Sequence, residues 1–330
     1  MGNGPAGIGP TDVVQPHATA FPSPIAVAAS WDRHDAWLYG ASVADEMQAI
    51  GRTMLEAPTV NICRIPASGR TFEGYGEDPF LSAETAVANI KGIQSLNMLA
   101  NVKHFALNNQ EADRQFVDVI ADERTMREIY FPAFEAAVKS ANVASLMCSY
   151  NKVNGDYACE NKHLLKDVLR TDWGFHGFVV SAFGAAHDGR HDLAAGLDLE
   201  MPQGDTYNSN FEQVKDGIVT TTQIDDLLRH RYATMIRFGL FDHQAQTHAI
   251  AEEEHGKTAR LLAADSIVLL RNQKSLLPLD GNRLKSIAVL GPAVDHLIEG
   301  GGAASVLPLH SITPIQGIKV ASQPRKSGMF

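Results

Sequence analysis

Short apolar, β-rich runs alternate with stretches whose apolar residues recur at helical spacing from about residue 25 to residue 238. That alternation predicts βαβ units on a mainly parallel sheet. The expected strands are residues 24–27, 59–62, 100–103, 144–147 and 178–181. Roughly 35 to 45 residues separate neighbouring runs, which leaves room for one helix in each gap. Ser82 caps one such helix, with Ala86, Ile90 and Ile93 on a face, and Asp122 opens another with Met126, Ile129, Phe134 and Val138. Thr222 begins a third, carrying Ile224, Leu227, Leu228, Tyr232, Met235 and Ile236. These stripes read as packing surfaces.

Beyond residue 241 the pattern changes. Residues 242–254 are polar and read as a linker. A helix over about 256–264 then leads to apolar runs at 266–270 and 286–291, the expected start of a second α/β domain. The last stretch, 322–330, is polar and basic like a tail. About 75 residues are too few to finish a doubly wound sheet, so the second domain is expected to be cut short. The resulting division is 1–241 for a barrel-like domain, 242–255 for a linker and 256–330 for a partial second domain.

Composition narrows the partners. The 330 residues are 45% hydrophobic and 20% charged, enough for one large core plus part of another. A net charge of −10 with scattered lysines and arginines argues against nucleic acid or an anionic membrane. No apolar run reaches the roughly 18 to 20 residues of a membrane span, and the first residues have no signal-peptide pattern. The expectation is a soluble chain, cytoplasmic by default. Cys63, Cys148 and Cys159 form neither a metal-binding spacing nor an even disulfide framework, so no metal or cofactor is expected. Buried thiols are the expectation, with a bridge between Cys148 and Cys159 as the alternative.

Five polar clusters follow predicted strands. They are Arg70-Thr71-Phe72-Glu73-Gly74-Tyr75-Gly76-Glu77-Asp78-Pro79, Lys103-His104-Phe105 with the asparagines after it, Met147-Cys148-Ser149-Tyr150-Asn151, the segment around Ala182, and Asp198-Leu199-Glu200-Met201-Pro202. Alone, the first reads as a loop held by its own ion pairs, and an isolated Lys-His pair usually has no role. Polar clusters at successive strand exits instead converge on one face of a β/α barrel.

The order Gly-Pro-Ala-Gly, Gly-Arg-Thr-Phe-Glu-Gly-Tyr-Gly-Glu-Asp-Pro, Lys-His-Phe, Met-Cys-Ser-Tyr-Asn, Trp-Gly-Phe-His-Gly-Phe-Val-Val-Ser and Asp-Leu-Glu-Met-Pro resembles glycoside hydrolase family 3. The later Ser-Ile-Val-Leu-Leu-Arg-Asn and Leu-Leu-Pro-Leu resemble the start of that family's second domain, so the likeness spans nearly all of residues 2–320. The β-glucosidase and β-xylosidase branch fits best, because no Gly-His-Gly loop follows Lys103-His104-Phe105. The resemblance implies a (β/α)8-like TIM-type barrel, whose first strand would precede Met1, followed by the start of an α/β sandwich domain.

The resemblance also implies roles. Arg70, Lys103 and His104 would bind hydroxyls of a terminal sugar, Met147 and Tyr150 would line its floor, and Arg114 and Glu200 would brace this shell. The family's nucleophilic aspartate falls at Ala182, with Phe183 in place of the adjacent tryptophan, and a sugar-binding aspartate falls at Asn3. The family's acid/base lies downstream of residue 330. A retaining mechanism needs two carboxyl groups about 5 to 5.5 Å apart, and alanine supplies none. A rearranged loop could bring His187 or Asp188 to the gap.

Two readings follow. One is a β-glucosidase-type hydrolase carrying an engineered Asp→Ala change at Ala182. The other is a natural relative that has lost hydrolysis and binds a β-glucoside or similar small glycoside, binds a partner, or runs another reaction in the same pocket. Asn3, the absent first strand and the short second domain, taken together, favour the second reading. An incomplete barrel leaves room for self-association or a partner chain.

Overall fold

The computed structural model describes residues 1–9, 17–217, 219–242, 247–281 and 283–322. The expected tail, from residue 323 onward, and residues 243–246 of the expected linker lie outside the described residues.

The centre is a five-stranded parallel sheet whose spatial order follows the chain: β1 (Gly2–Asn3), β2 (Met54–Glu56), β3 (Leu99–Phe105), β4 (Ser145–Cys148) and β5 (Phe178–Ser181). A sixth extended segment follows, where Leu199 bridges Val180 in parallel and Gly184 N–H donates to Met201 O at 2.9 Å. This mainly parallel α/β arrangement is that of a TIM-like barrel domain. The first strand of the sheet, expected to precede Met1, lies at Gly2–Asn3, paired with Leu55 and Glu56.

Three expected strands, at 100–103, 144–147 and 178–181, coincide with β3, β4 and β5 to within two residues. The other two do not. Residues 24–27 lie in the helix Pro24–Ala29, which opens with proline in its first turn after Ser23. Proline's fixed φ and missing N–H suit that position. Residues 59–62 follow β2 as a loop, with only Thr59 bridging Lys103.

Every residue of β3, β4 and β5 is buried, as in parallel sheets covered on both faces. Behind β3, Phe105 lies 5.1 to 5.6 Å from the rings of Phe134, Phe131 and Trp173. The helices Arg33–Ala49 and Pro79–Gln94 start at Asp32 and Asp78, whose side chains accept from His34 N–H and Leu81 N–H at 2.7 Å. The second thus begins four residues before the expected cap, Ser82. The two helices meet at glycines: a Cβ on Gly40 would stand 2.3 Å from Asn89 O, and one on Gly92 2.2 Å from Trp37 O. Only glycine permits that approach.

Asp198 binds the sixth segment to its surroundings. Its buried carboxylate accepts from Val179 N–H at 2.6 Å, Arg170 at 2.7 Å and the His230 ring at 2.8 Å. Helix Thr221–Arg237, which carries His230, is capped by Thr220 rather than Thr222 through a capping box with Gln223. The next helix, Glu252–Asp265, starts inside the expected linker and is held to the barrel side by His255, whose Nδ1 lies 2.9 Å from Glu46.

The apolar runs at 266–270 and 286–291 are not strands. Ile267, Leu270 and Leu290 stand 78%, 91% and 90% exposed. The chain then returns to the barrel side, where Leu307–Pro308 pairs with His17–Ala18. Cys148 and Cys159 form a disulfide with Cα atoms 5.3 Å apart, so the expectation of buried thiols gives way to its alternative. Cys63 is a free, half-buried thiol. No described helix is long and apolar enough to cross a membrane.

Candidate functional site

The strand ends enclose a cavity of about 230 Å³. It is smaller than the roughly 300–1,000 Å³ of drug-sized sites. Its wall includes Asn3 from β1, Glu56 from β2, Lys103 and His104 from β3, Met147 from β4, and Tyr150, Ala182 and Phe183 just past β4 and β5. Arg70 and Arg114 close it from loops, and Ala303 comes from the far end of the chain. Nine of the ten residues named from the sequence therefore line one space.

Lys103 is fully buried and donates to Asn3 Oδ1 at 2.5 Å, while Asn3 Nδ2 donates to Ala303 O at 2.7 Å. Burial pulls the Lys103 ammonium down to about 8, opposed mainly by the charge of Glu56. His104 is held by Asn61, whose amide accepts from His104 N–H and donates to His104 O, both at 2.9 Å. Burial, with Arg70 and Lys103 nearby, pushes its imidazole well below the ordinary range, so the ring is neutral at pH 7.

Arg70 is fixed by two hydrogen bonds to the buried Glu73, at 2.9 and 2.6 Å. Arg114 pairs with Glu111 at 2.5 Å, and its guanidinium lies 4.2 Å above the Tyr150 ring. The Arg-Thr-Phe-Glu loop is thus held by its own ion pair, and it still presents the arginine to the cavity. Burial raises the Tyr150 phenol, which keeps its proton at neutral pH.

Ala182 N–H donates to Cys148 O at 3.1 Å, which places the Ala182 methyl group at the cavity wall. His187 and Asp188 do not fill that place. His187 stacks on Tyr157 with centroids 3.8 Å apart, and Asp188 caps helix Gly189–Ala195 by accepting from Arg190 N–H at 2.8 Å.

Glu200 lies outside the cavity that the other nine share. Its carboxylate accepts from Thr206 and Tyr207 N–H at 2.9 and 2.8 Å, and it lines a second, open cavity with Arg52, Tyr207 and Arg231. The start of helix Asp205–Lys215 claims both of its oxygens. Sequence reading missed Glu56 and Ala303. Glu56 ends an apolar strand with no motif around it; the glycine run before Ala303 was the available signal for close backbone approach. Among the described residues no group of three His, Cys, Asp or Glu side chains could hold a metal ion.

The lining is donor-rich, with a phenol and one carboxylate, and suits a small neutral polyol. Residues 8–232 match the glycosyl hydrolase family 3 N terminal domain, and residues 267–326 the glycosyl hydrolase family 3 C-terminal domain. The chain is 42% identical over 296 residues to thermostable beta-glucosidase B of Acetivibrio thermocellus, covering 88% of this chain and 38% of that protein. It is 38% identical to an exo-alpha-(1->6)-L-arabinopyranosidase of Bifidobacterium longum over 307 residues, which is 88% of this chain and 39% of the relative. The structure of beta-glucosidase 3B from Thermotoga neapolitana superposes with a TM-score of 0.91 at 37% identity, over 97% of this chain and 47% of that one. A beta-glucosidase from Streptomyces venezuelae in complex with D-glucose gives 0.91 at 37% identity, over 98% and 43%. The chain spans well under half the length of these curated relatives, and it belongs to glycoside hydrolase family 3.

Proposed function

We propose that this chain binds the terminal sugar of a β-glucoside or similar small glycoside and hydrolyses it negligibly. The supporting observation is the single cavity in which Asn3, Arg70, Lys103, His104, Arg114, Met147, Tyr150, Ala182 and Phe183 meet. Relatives whose names specify β-glucosidase, and structures named as complexes with glucose, support a hexose as ligand. The arabinopyranosidase relatives widen the class to other pyranoses.

Each step of the reading rests on lining chemistry. Arg70 and Lys103 donate to sugar oxygens, and the neutral His104 can donate or accept. Met147 offers a soft apolar surface and Tyr150 a phenol to the ring. Hydrolysis by either stereochemical route uses two carboxyl groups, and Glu56 is the only acidic side chain among the described lining residues. The resemblance puts the nucleophile at Ala182, whose methyl group cannot attack an anomeric carbon.

The test is Ala182→Asp beside the unaltered chain, with an activated aryl β-glucoside whose leaving group needs no acid. The expected result is saturable glucose binding by both and aglycone release by the variant at least on the order of a hundredfold above the unaltered chain. Burst release by the unaltered chain would overturn the claim of lost hydrolysis. Failure of both chains to bind glucose would overturn the claim of binding and favour a repurposed scaffold.

A further inference from the structure

Glu56 stands out from every other group lining the cavity. It is 5% exposed at the end of β2, in parallel register with Asn3 of β1. Arg70, Lys103 and Arg114 around it carry only donors. Asn3 is already engaged on both sides of its amide, by Lys103 at 2.5 Å and by Ala303 O at 2.7 Å. A polyol brings a proton as well as lone pairs on each hydroxyl, and a desolvated O–H without an acceptor is unfavourable. Without Glu56, the side chains left to accept from sugar hydroxyls would be the Tyr150 phenol and the neutral His104 ring, both weaker acceptors than a carboxylate.

Glu56 is the one charged acceptor among the described lining residues. A carboxylate offers about four lone-pair sites and no proton of its own. It lines the same cavity as the buried Lys103 ammonium, so both groups face one ligand. We propose that Glu56 is a specificity-determining residue of this cavity, accepting hydrogen bonds from adjacent hydroxyls of a neutral monosaccharide whose oxygens accept from Lys103. The proposal rests on the sugar-binding reading above and names the part of the ligand that is read: a vicinal diol. An anionic sugar is disfavoured, because its carboxylate would face that of Glu56.

Calorimetric titration of the unaltered chain, Glu56→Gln and Glu56→Asp with D-glucose and the monodeoxyglucoses tests this, with thermal unfolding run on each protein. The unaltered chain is expected to bind glucose at least tenfold more tightly than one of the monodeoxy sugars. E56Q should weaken glucose at least tenfold and bind that deoxy sugar as well as glucose. A merely structural residue would weaken both sugars together and leave their ratio intact. Equal glucose affinity in E56Q and the unaltered chain, or an unchanged ratio, overturns the role of Glu56 and leaves sugar binding standing. Absence of binding to any of these sugars by the unaltered chain overturns both. Should E56Q lose its cooperative unfolding transition, E56D is judged by the same ratio.

Discussion

Leu146 and Leu270 occupy runs of nearly the same apolar character, yet they have opposite surroundings. Leu146 lies in β4, 0% exposed, with β3 on one side and β5 on the other. Leu270 follows Ile267, Val268 and Leu269 and is 91% exposed, with no described strand beside it. Side-chain preference is equal in the two places; what differs is the availability of neighbouring backbone. A strand is completed by partners on its edges, and helices must then cover its faces. Residues 145–148 have both.

The largest effect is expected at the polar hub of the first region. Asp198→Ala removes the partner of the mostly buried Arg170 and the acceptors of Val179 N–H and the His230 ring, and should cost about 3–5 kcal/mol. The urea midpoint reads it. A loss under 1 kcal/mol would mean that the sixth segment is not fixed by this residue.

The direct contrast comes next. Leu146→Ala should lose about 2–5 kcal/mol, because it opens a void in a closed core. Leu270→Ala should stay within about 0.5 kcal/mol. If the two match, residues 266–270 are covered in solution and the contrast between the regions fails.

A smaller and pH-dependent effect is expected at Asp192. Its carboxyl is buried, and burial, with Glu160, Glu200 and Asp188 nearby, raises it from 3.8 to about 8. The folded protein therefore holds a proton that the unfolded chain releases above pH 4. Stability is unaffected below the unfolded value, falls as pH rises from 4 to 8, and stays at its lower level beyond. Asp192→Asn should match the parent near pH 4 and exceed it by about 2–3 kcal/mol at pH 7. Thermal melts across that range check the slope, and a gain independent of pH would assign the effect to packing.

Much of the first region was legible because its signals are local. The polar clusters at strand exits held seven of the nine proposed residues that the cavity collects, Asn3 and Arg114 coming from the resemblance, and β3, β4 and β5 announced themselves as short runs rich in apolar residues. Residues 24–27 misled, because a short run of proline, isoleucine, alanine and valine suits strand or helix. Only the position of Pro24 in the first turn decides it. Residues 59–62 misled in another way: the ladder is made by the three residues before the Ala57-Pro58 step, and Glu56 among them looks out of place in a strand until the cavity it shares with Lys103 is seen. Glu200 stands in a matching motif, but the N–H groups that bind it come six and seven residues later. In the second region, apolar runs announced the start of a domain, and no described strand lies beside them.

The hydrogen bond from Asn3 to Ala303 joins residues 300 positions apart, and Asn3 also holds Lys103. Contacts of such sequence separation close large loops and form late, after the helices and the local strand pairs. The cavity wall thus holds only while residues from both ends of this span stay together. In a denaturant series, sugar binding should disappear at concentrations where the helical signal is still intact.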